Sequence, residues 1–283
     1  MKRQNEYIQK KDIKYVEIKI CMHYNTCMNS INEKEKRKTF AQRHTDSMAW
    51  QYKRYIDHSI AETKIYRKGH VFNDHTFDKY AKQSFMNTDT VSAIFDVCLA
   101  NRDKKIAVLN FASYKKPGGG FIDGAMAQEE ALCYSSFLYN VLSTFQDVYA
   151  ENCNNLNKGL YEDFALYSKD IVFVDRPNRR RCHCDIITCP APNKTPFVKY
   201  QSFPEELNTQ VFEQRMDFLK NVAEDNRADI LILGAWGCGV FRQDAEEVAT
   251  LFKKTFSKPT CVSEVIYAVP GNDRNANVFK TYF

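Results

Sequence analysis

Glu129 and Glu130 stand side by side, directly after Gln128 and beyond the run Gly118-Gly119-Gly120. Adjacent carboxylates are most often a solvated face. This pair lies between a glycine-rich loop and an apolar helical stretch, where a ligand could reach it. Neighbouring residues point about 100° apart on a helix and to opposite faces on a strand. Glu129 and Glu130 therefore cannot flank one scissile bond as a symmetric acid/base pair. One can move a proton while the other holds a hydroxyl or the loop. Gly118, Gly119, Gly120 and Gly124 crowd into this short loop. Consecutive glycines permit positive φ and let backbone amides approach an anion with no Cβ in the way. The helix that follows offers its N-terminal amides to the same charge. No Gly-Lys-Ser/Thr follows, so this is not a Walker loop. Taken alone, a triglycine would serve a flexible connector equally well.

A second glycine loop runs Gly234-Ala235-Trp236-Gly237-Cys238-Gly239-Val240-Phe241. It follows Ile230-Leu231-Ile232-Leu233, an apolar run of the buried-strand type, and precedes a helical pattern. Gly-x-Gly between strand and helix suits a phosphate-binding turn. Two such loops on one sheet could grip both phosphates of a diphosphate; two tight strand–helix turns are the alternative. Cys182, His183, Cys184 and Cys189 are the densest metal-like cluster. A structural zinc site wants a second ligand pair, and Cys238 and Cys261 stand alone. Buried or half-buried reduced thiols are expected there, and no metal.

The elements that must position these residues read as follows. Ile106 to Ala112, Ile171 to Val174, Ile186 to Thr188, Ile230 to Leu233 and Val265 to Val269 are strand candidates. Between them come helical patterns: Gln128 to Tyr149, then Phe212/Met216/Leu219/Val222, then Ala245/Val248/Phe252/Phe256. Strands alternating with helices predict an α/β sandwich with a mainly parallel or mixed sheet. Ligands of such folds sit where strand carboxyl ends lead into helices, which is where both glycine loops fall. Residues 1–85 differ, with one glycine and no proline. Val16 to Ile20 alternates like a short strand. From Asn32 to His70 the pattern is helical, with Met48, Tyr52, Tyr55, Ile56 and Ile60 on one face. The reading is an N-terminal helical extension over 1–85, packed on a larger α/β domain over 86–283.

The chain has 283 residues, 44% hydrophobic and 27% charged, which excludes collagen-like, mucin-like and mostly disordered classes. A net charge of +5 fits an anionic ligand but not a dedicated DNA-binding domain. No stretch approaches the ~20 apolar residues of a membrane span. Lys14, Glu17 and Lys19 interrupt the only early apolar segment, so no signal peptide is expected. The expected compartment is the cytoplasm, with the nucleus as the alternative, and the expected state is a monomer.

The spacing Gly118-Gly119-Gly120, then Gln128-Glu129-Glu130, resembles the signature of poly(ADP-ribose) glycohydrolases. Leu109-Asn110-Phe111-Ala112-Ser113, Pro117, Ala191-Pro192-Asn193 and Gly234-Ala235-Trp236-Gly237-Cys238-Gly239 resemble the microbial type of that family. These motifs occur in the expected order, and the match runs from about Lys36 to Phe283. The resemblance implies a macrodomain-like three-layer α/β/α sandwich with a mixed sheet, preceded by accessory helices. It implies cleavage of ribose–ribose O-glycosidic bonds with release of ADP-ribose, and no cofactor.

By the same resemblance Glu130 is the catalytic acid and Glu129 contacts ribose hydroxyls near the scissile bond. Gln128 belongs to the signature, and Asn110 would hold the distal ribose. Gly118, Gly119 and Gly120 would lie along the diphosphate and distal ribose. Gly237, Cys238, Gly239, Val240 and Phe241 would form the second diphosphate loop, with the Phe241 ring by the ribose. Asp89 is the candidate for the adenine amino group and Phe279 for the adenine face, a core position being the alternative for Phe279. Arg179-Arg180-Arg181 departs from the pattern and could bind a second polymer unit or be a solvated loop. Cleavage passes through an oxocarbenium-like state. Burial, a like charge and the ligand's diphosphate are expected to raise the pKa of Glu130 and help it hold its proton. The rival activities are hydrolysis of ADP-ribose from protein or nucleic-acid acceptors, a toxin-made adduct included. The rival without catalysis is an ADP-ribose reader, against which the intact Glu129–Glu130 pair argues. The expected partners are the polymer or ADP-ribosylated proteins, not a membrane and not a nucleic-acid sequence.

Overall fold

Strands β1 (Lys64–Arg67), β2 (Lys82–Met86), β3 (Ile106–Phe111), β4 (Phe164–Asp175), β5 (Arg180–Cys189), β6 (Ile230–Leu233) and β7 (Glu264–Ala268) form one sheet. Its order is β1-β4-β5-β3-β6-β7-β2. The computed structural model describes residues 32–73, 76–175, 180–196 and 204–283. The strand read at 16–20 and Arg179 lie outside the described residues. From β5 across to β2 all neighbours run parallel, whereas β4 is antiparallel to both β5 and β1. The sheet is therefore mixed, and the carboxyl ends of five strands open on one edge.

The helices cover both faces. On one side lie α1 (residues 32–51), α2 (Lys53–Glu62), α3 (Thr90–Ala100), α4 (Gln128–Ser135), α5 (Leu138–Leu142) and α6 (Gln146–Asn154). On the other lie α7 (Glu205–Asp225), α8 (Ala245–Phe256) and α9 (Arg274–Tyr282). Strand β3 shows why its sequence is unbroken by polar residues until Asn110. Ile106 and Val108 enter the core under α1 to α6, while Ala107 and Leu109 enter the core under α7 to α9. A strand covered on both faces reads as a continuous apolar run. The three-layer α/β/α sandwich is the expected one. Among the described residues no helix is long and apolar enough to cross a membrane.

Four features differ from the sequence reading. The helical pattern drawn to His70 ends at Glu62, because Lys64 to Arg67 pair with β4 as an edge strand. Residues 1–85 thus contribute more than helices: β1 and most of β2 complete the sheet, and a boundary at 85/86 falls inside β2. Ala41, Met48 and Ile56 of the first two helices are buried in the same core as β3. The stretch Gln128 to Tyr149 is broken after Ser135. Ser136 is extended and bridges Phe173 of β4, and its hydroxyl donates to Leu132 O and accepts from Leu138 N. Strands β4 and β5 form a longer hairpin than IVFV and Ile186 to Thr188 suggested. Buried Ser168, Asp185 and Thr188 and half-buried Lys169 and Asp170 break the apolar run, and the pairing continues on both sides of a register shift between Ser168 and Ile171.

Candidate active site

Both glycine loops leave adjacent strands, β3 and β6, at the sheet's carboxyl edge. The first joins β3 to α4. Gln128 pins this joint: its Oε1 accepts from Phe111 N (2.8 Å) and its Nε2 donates to Leu109 O (2.8 Å). Gly118 and Gly119 adopt φ of +65° and +61°, the left-handed region that a side chain disfavours. At Gly119 there is a second requirement. A Cβ there would stand 2.5 Å from Glu130 Oε1 and 2.8 Å from Glu129 Oε2. The backbone of Gly119 is therefore the surface against which both carboxyls rest.

Glu129 and Glu130 are 4% and 7% exposed. Glu130 serves as the reciprocal cap of α4. Its Oε1 accepts from Gly120 N (2.7 Å) and its Oε2 from Ala127 N (2.9 Å). Glu129 Oε2 accepts from Ser113 N (2.7 Å), and its Oε1 accepts from Asn110 Nδ2 (3.2 Å). Burial pushes Glu129 up to about 8, with the Glu130 charge adding to the rise and the Ser113 and Asn110 hydrogen bonds opposing it. The rise at Glu129 is not anticipated from the sequence. Desolvation of this side chain outweighs the hydrogen bonds it accepts.

Two connected compartments lie over these residues. One, about 260 Å³, is lined by Gln128, Trp236, Gly237, Gly239, Val240 and Phe241. The other, about 380 Å³, is lined by Ser113, Gly119, Glu129, Glu130, Tyr161 and Phe241. They share Phe111, Ala127, Val240 and Phe241, so they form one cleft between the two glycine loops. The cleft thus runs from the second glycine loop to the two carboxyls. Among the described residues no group of three or more His, Cys, Asp or Glu is placed to hold a metal ion. Cys182 and Cys184 face the core while His183 lies on the exposed side of β5, as strand alternation requires.

The model of the microbial-type PARG catalytic domain matches residues 31–175, just over half of the chain. This chain belongs to that glycohydrolase family. The poly(ADP-ribose) glycohydrolase of Thermomonospora curvata has 25% identity and a TM-score of 0.76, over 88% of this chain and 100% of that one. The same protein bound to the inhibitor ADP-HPD superposes with a TM-score of 0.75. The Deinococcus radiodurans glycohydrolase in complex with ADP-ribose shows 28% identity and a TM-score of 0.66, covering 80% of this chain and 96% of that one. No curated protein matches the chain.

Against this glycohydrolase frame the sequence-derived residues divide. Glu129, Glu130, Gly119, Gln128, Gly237, Gly239, Val240 and Phe241 line the cleft. Gly118 and Gly120 shape the loop behind it. Cys238 is half-buried, with Sγ 3.8 Å from Trp236 O, and burial pushes its thiol up to about 12. Asn110 is fully buried, and its Nδ2 is directed at Glu129 and Thr188. It stands behind Glu129 and orients it, and does not form the cleft wall. Asp89 caps α3, its Oδ1 accepting from Val91 N and Ser92 N and its Oδ2 from Ser92 Oγ. Phe279 requires a correction. It is fully buried, with ring centroids 5.8 Å from Tyr267 and from Phe283, so it has no free face for adenine. Of the basic run, Arg180 pairs with Asp175 and Asp96, and Arg181 lies over Tyr52 and Tyr55.

Sequence reasoning missed the residues that hold the cleft's far wall. Arg215 of α7 is fully buried and donates to Asp163 Oδ1 (2.6 Å), Pro190 O (2.7 Å) and Tyr161 O (3.3 Å). It ties the segment before β4 to the exit of β5. Gln243 Nε2 donates to Pro192 O (2.8 Å), and Lys194 N donates to Phe241 O (2.9 Å). The buried Lys194 ammonium meets Glu205 and Glu247. In sequence these are ordinary polar residues on helices and loops, and nothing in their spacing marks them.

Proposed function

We propose that this chain hydrolyses the ribose–ribose O-glycosidic bond of poly(ADP-ribose), with Glu130 as general acid and Glu129 as the group that positions the distal ribose. The observation that carries the reading is the buried carboxyl pair set against the Gly119 backbone in a cleft between two glycine loops. The amides of the two glycine loops take the diphosphate. The sugar then falls on the carboxyls. Glu130 gives its proton to the leaving ribose oxygen as the anomeric C–O bond breaks. The electron pair of that bond stays with the oxygen, and positive charge develops on the anomeric carbon. The N–H groups of Gly120 and Ala127 stabilise the carboxylate so formed. That carboxylate then accepts a proton from the attacking water, which returns Glu130 to its starting state. The Glu129 proton, held up to about pH 8, limits repulsion within the pair and with the diphosphate. The reading is supported by the family match, by the inhibitor and ADP-ribose complexes of the similar proteins, and by a glutamate-to-alanine variant of the Thermomonospora enzyme among them. It includes a monomer with no nucleic-acid partner. The test is incubation with polymer and chromatography of the product. Release of free ADP-ribose is expected, and binding of ADP-ribose without release of any product would refute the reading.

A further inference from the structure

Beyond the carboxyls, away from β6, the cleft continues into a third cavity of about 370 Å³. Tyr161 and Asn193 line both this cavity and the carboxylate compartment. Leu156 and Pro196 give it an apolar floor, and Lys158 and Lys115 bring positive charge to its rim. The segment that builds it holds an unusual backbone. Asn157, Lys158 and Tyr161 have φ of 41°, 52° and 60°, the left-handed region that non-glycine residues rarely occupy. Tight neighbours enforce this. Gly159 O accepts from Asn193 N (2.8 Å), Arg215 holds Tyr161 O, and the Tyr161 ring stacks on Tyr114 at 4.2 Å. Strain of this kind persists only where the surroundings over-determine it, and it gathers at functional sites.

We propose that this third cavity is the leaving-group subsite, which takes the adenosine diphosphate portion of the next polymer unit. The inference rests on the reading of the carboxyl cleft given above. The order of compartments along the sheet edge supplies the direction. The diphosphate half lies by the β6 loop, the carboxyls by β3, and the third cavity by β5 and the segment entering β4. When the glycosidic bond breaks at the carboxyls, the departing oxygen belongs to an adenosine ribose. Its base and its diphosphate must lie on the side opposite the bound unit. A flat apolar base suits the floor of Leu156, Pro196 and the Tyr161 ring edge. Two lysines suit the phosphates that follow. The subsite would thus distinguish a polymer from a single ADP-ribose on a small acceptor.

The test compares two substrates of the full-length protein. One is the polymer; the other is an ADP-ribose glycoside whose leaving group is a single nitrophenyl ring. Lys158→Glu, on an exposed position, should lower kcat/KM for the polymer by about tenfold or more while the nitrophenyl glycoside changes less than about twofold. Lys158→Arg should restore the polymer rate. An independent arm needs no turnover. With the cleft saturated by ADP-ribose, calorimetry with ADP should detect a second binding event that Lys158→Glu removes. Equal losses on both substrates, no loss on either, or no second ADP event would overturn the subsite. A wild-type protein that cleaves neither substrate would instead refute the glycohydrolase reading, and the ADP titration would still decide whether the cavity binds a nucleotide.

Discussion

Replacing Glu129 by glutamine should change how stability depends on pH, and the structure fixes the sign. The folded-state value of about 8 lies above the ordinary 4.5. Between those values the folded protein binds more protons at this site than the unfolded chain. The stabilising contribution is therefore fully present below the unfolded value and is lost as pH rises through the folded one. The gap is worth on the order of 5 kcal/mol over the whole range, at ~1.36 kcal/mol per pH unit. From about pH 5.5 to about pH 7.5 the parent should lose about 2–3 kcal/mol that Glu129→Gln does not lose. The glutamine NH₂ will also face either Ser113 N–H or Asn110, at about 1–3 kcal/mol for an unmet donor. That offset is the same at every pH, so only the difference in slope is read. Urea unfolding of both proteins at four pH values from about 5.5 to about 8.5 supplies it. Parallel stability curves across that range would refute the claim that burial holds a proton on Glu129.

Glu130→Gln should bind ADP-ribose with little change by calorimetry and cleave polymer ~10²–10⁴-fold more slowly, the range for loss of a general acid; a near-parent rate would remove Glu130 from that role. Gly119→Val would place a side chain within 2.5 Å of Glu130 Oε1 and 2.8 Å of Glu129 Oε2, so steady-state turnover should fall by about 10²-fold or more in a folded protein. Gly124→Ala puts a Cβ 2.3 Å from Lys34 O, and thermal unfolding should report a loss of about 1–3 kcal/mol. Because the proton comes from a carboxyl, polymer hydrolysis should survive excess EDTA; activity lost to chelator and restored by Mg²⁺ would move the chemistry to a metal-dependent class.

What the sequence disclosed and what it hid follow from the range of the interactions. Strand β6 is legible as ILIL because both its faces are buried, and α8 because its apolar residues recur at helical spacing. The glycine loops and Glu129–Glu130 are legible because they are short, contiguous and chemically unusual. Strand β1 is hidden, since in Lys-Ile-Tyr-Arg only Tyr66 is buried. Its strand state comes from pairing with β4, a hundred residues away. That burial raises Glu129 is hidden for the same reason. It depends on how far that side chain sinks below the loop, not on its neighbours in the chain. Phe279 shows the converse: a ring after the last strand reads alike whether it meets a ligand or the core, and here it meets Tyr267 and Phe283.

The packing at Gly124 bears on what could be excised or transplanted. At that point α1 presses so closely that only a hydrogen fits, and Arg37 Nε donates to Gly124 O at 2.9 Å. Gly124 N in turn donates to Phe121 O, and Ala125 N to Gly120 O, whose own N–H holds Glu130. A short hydrogen-bonded relay thus links the first described helix to the acid. A fragment beginning at residue 86 would retain both glycine loops and both glutamates, yet the loop would have lost the surface it is moulded on. The inheritable catalytic module is consequently larger than the stretch that bears its recognisable motifs. Anything that levers α1 outward would slow bond cleavage while touching neither the sugar nor the carboxyls.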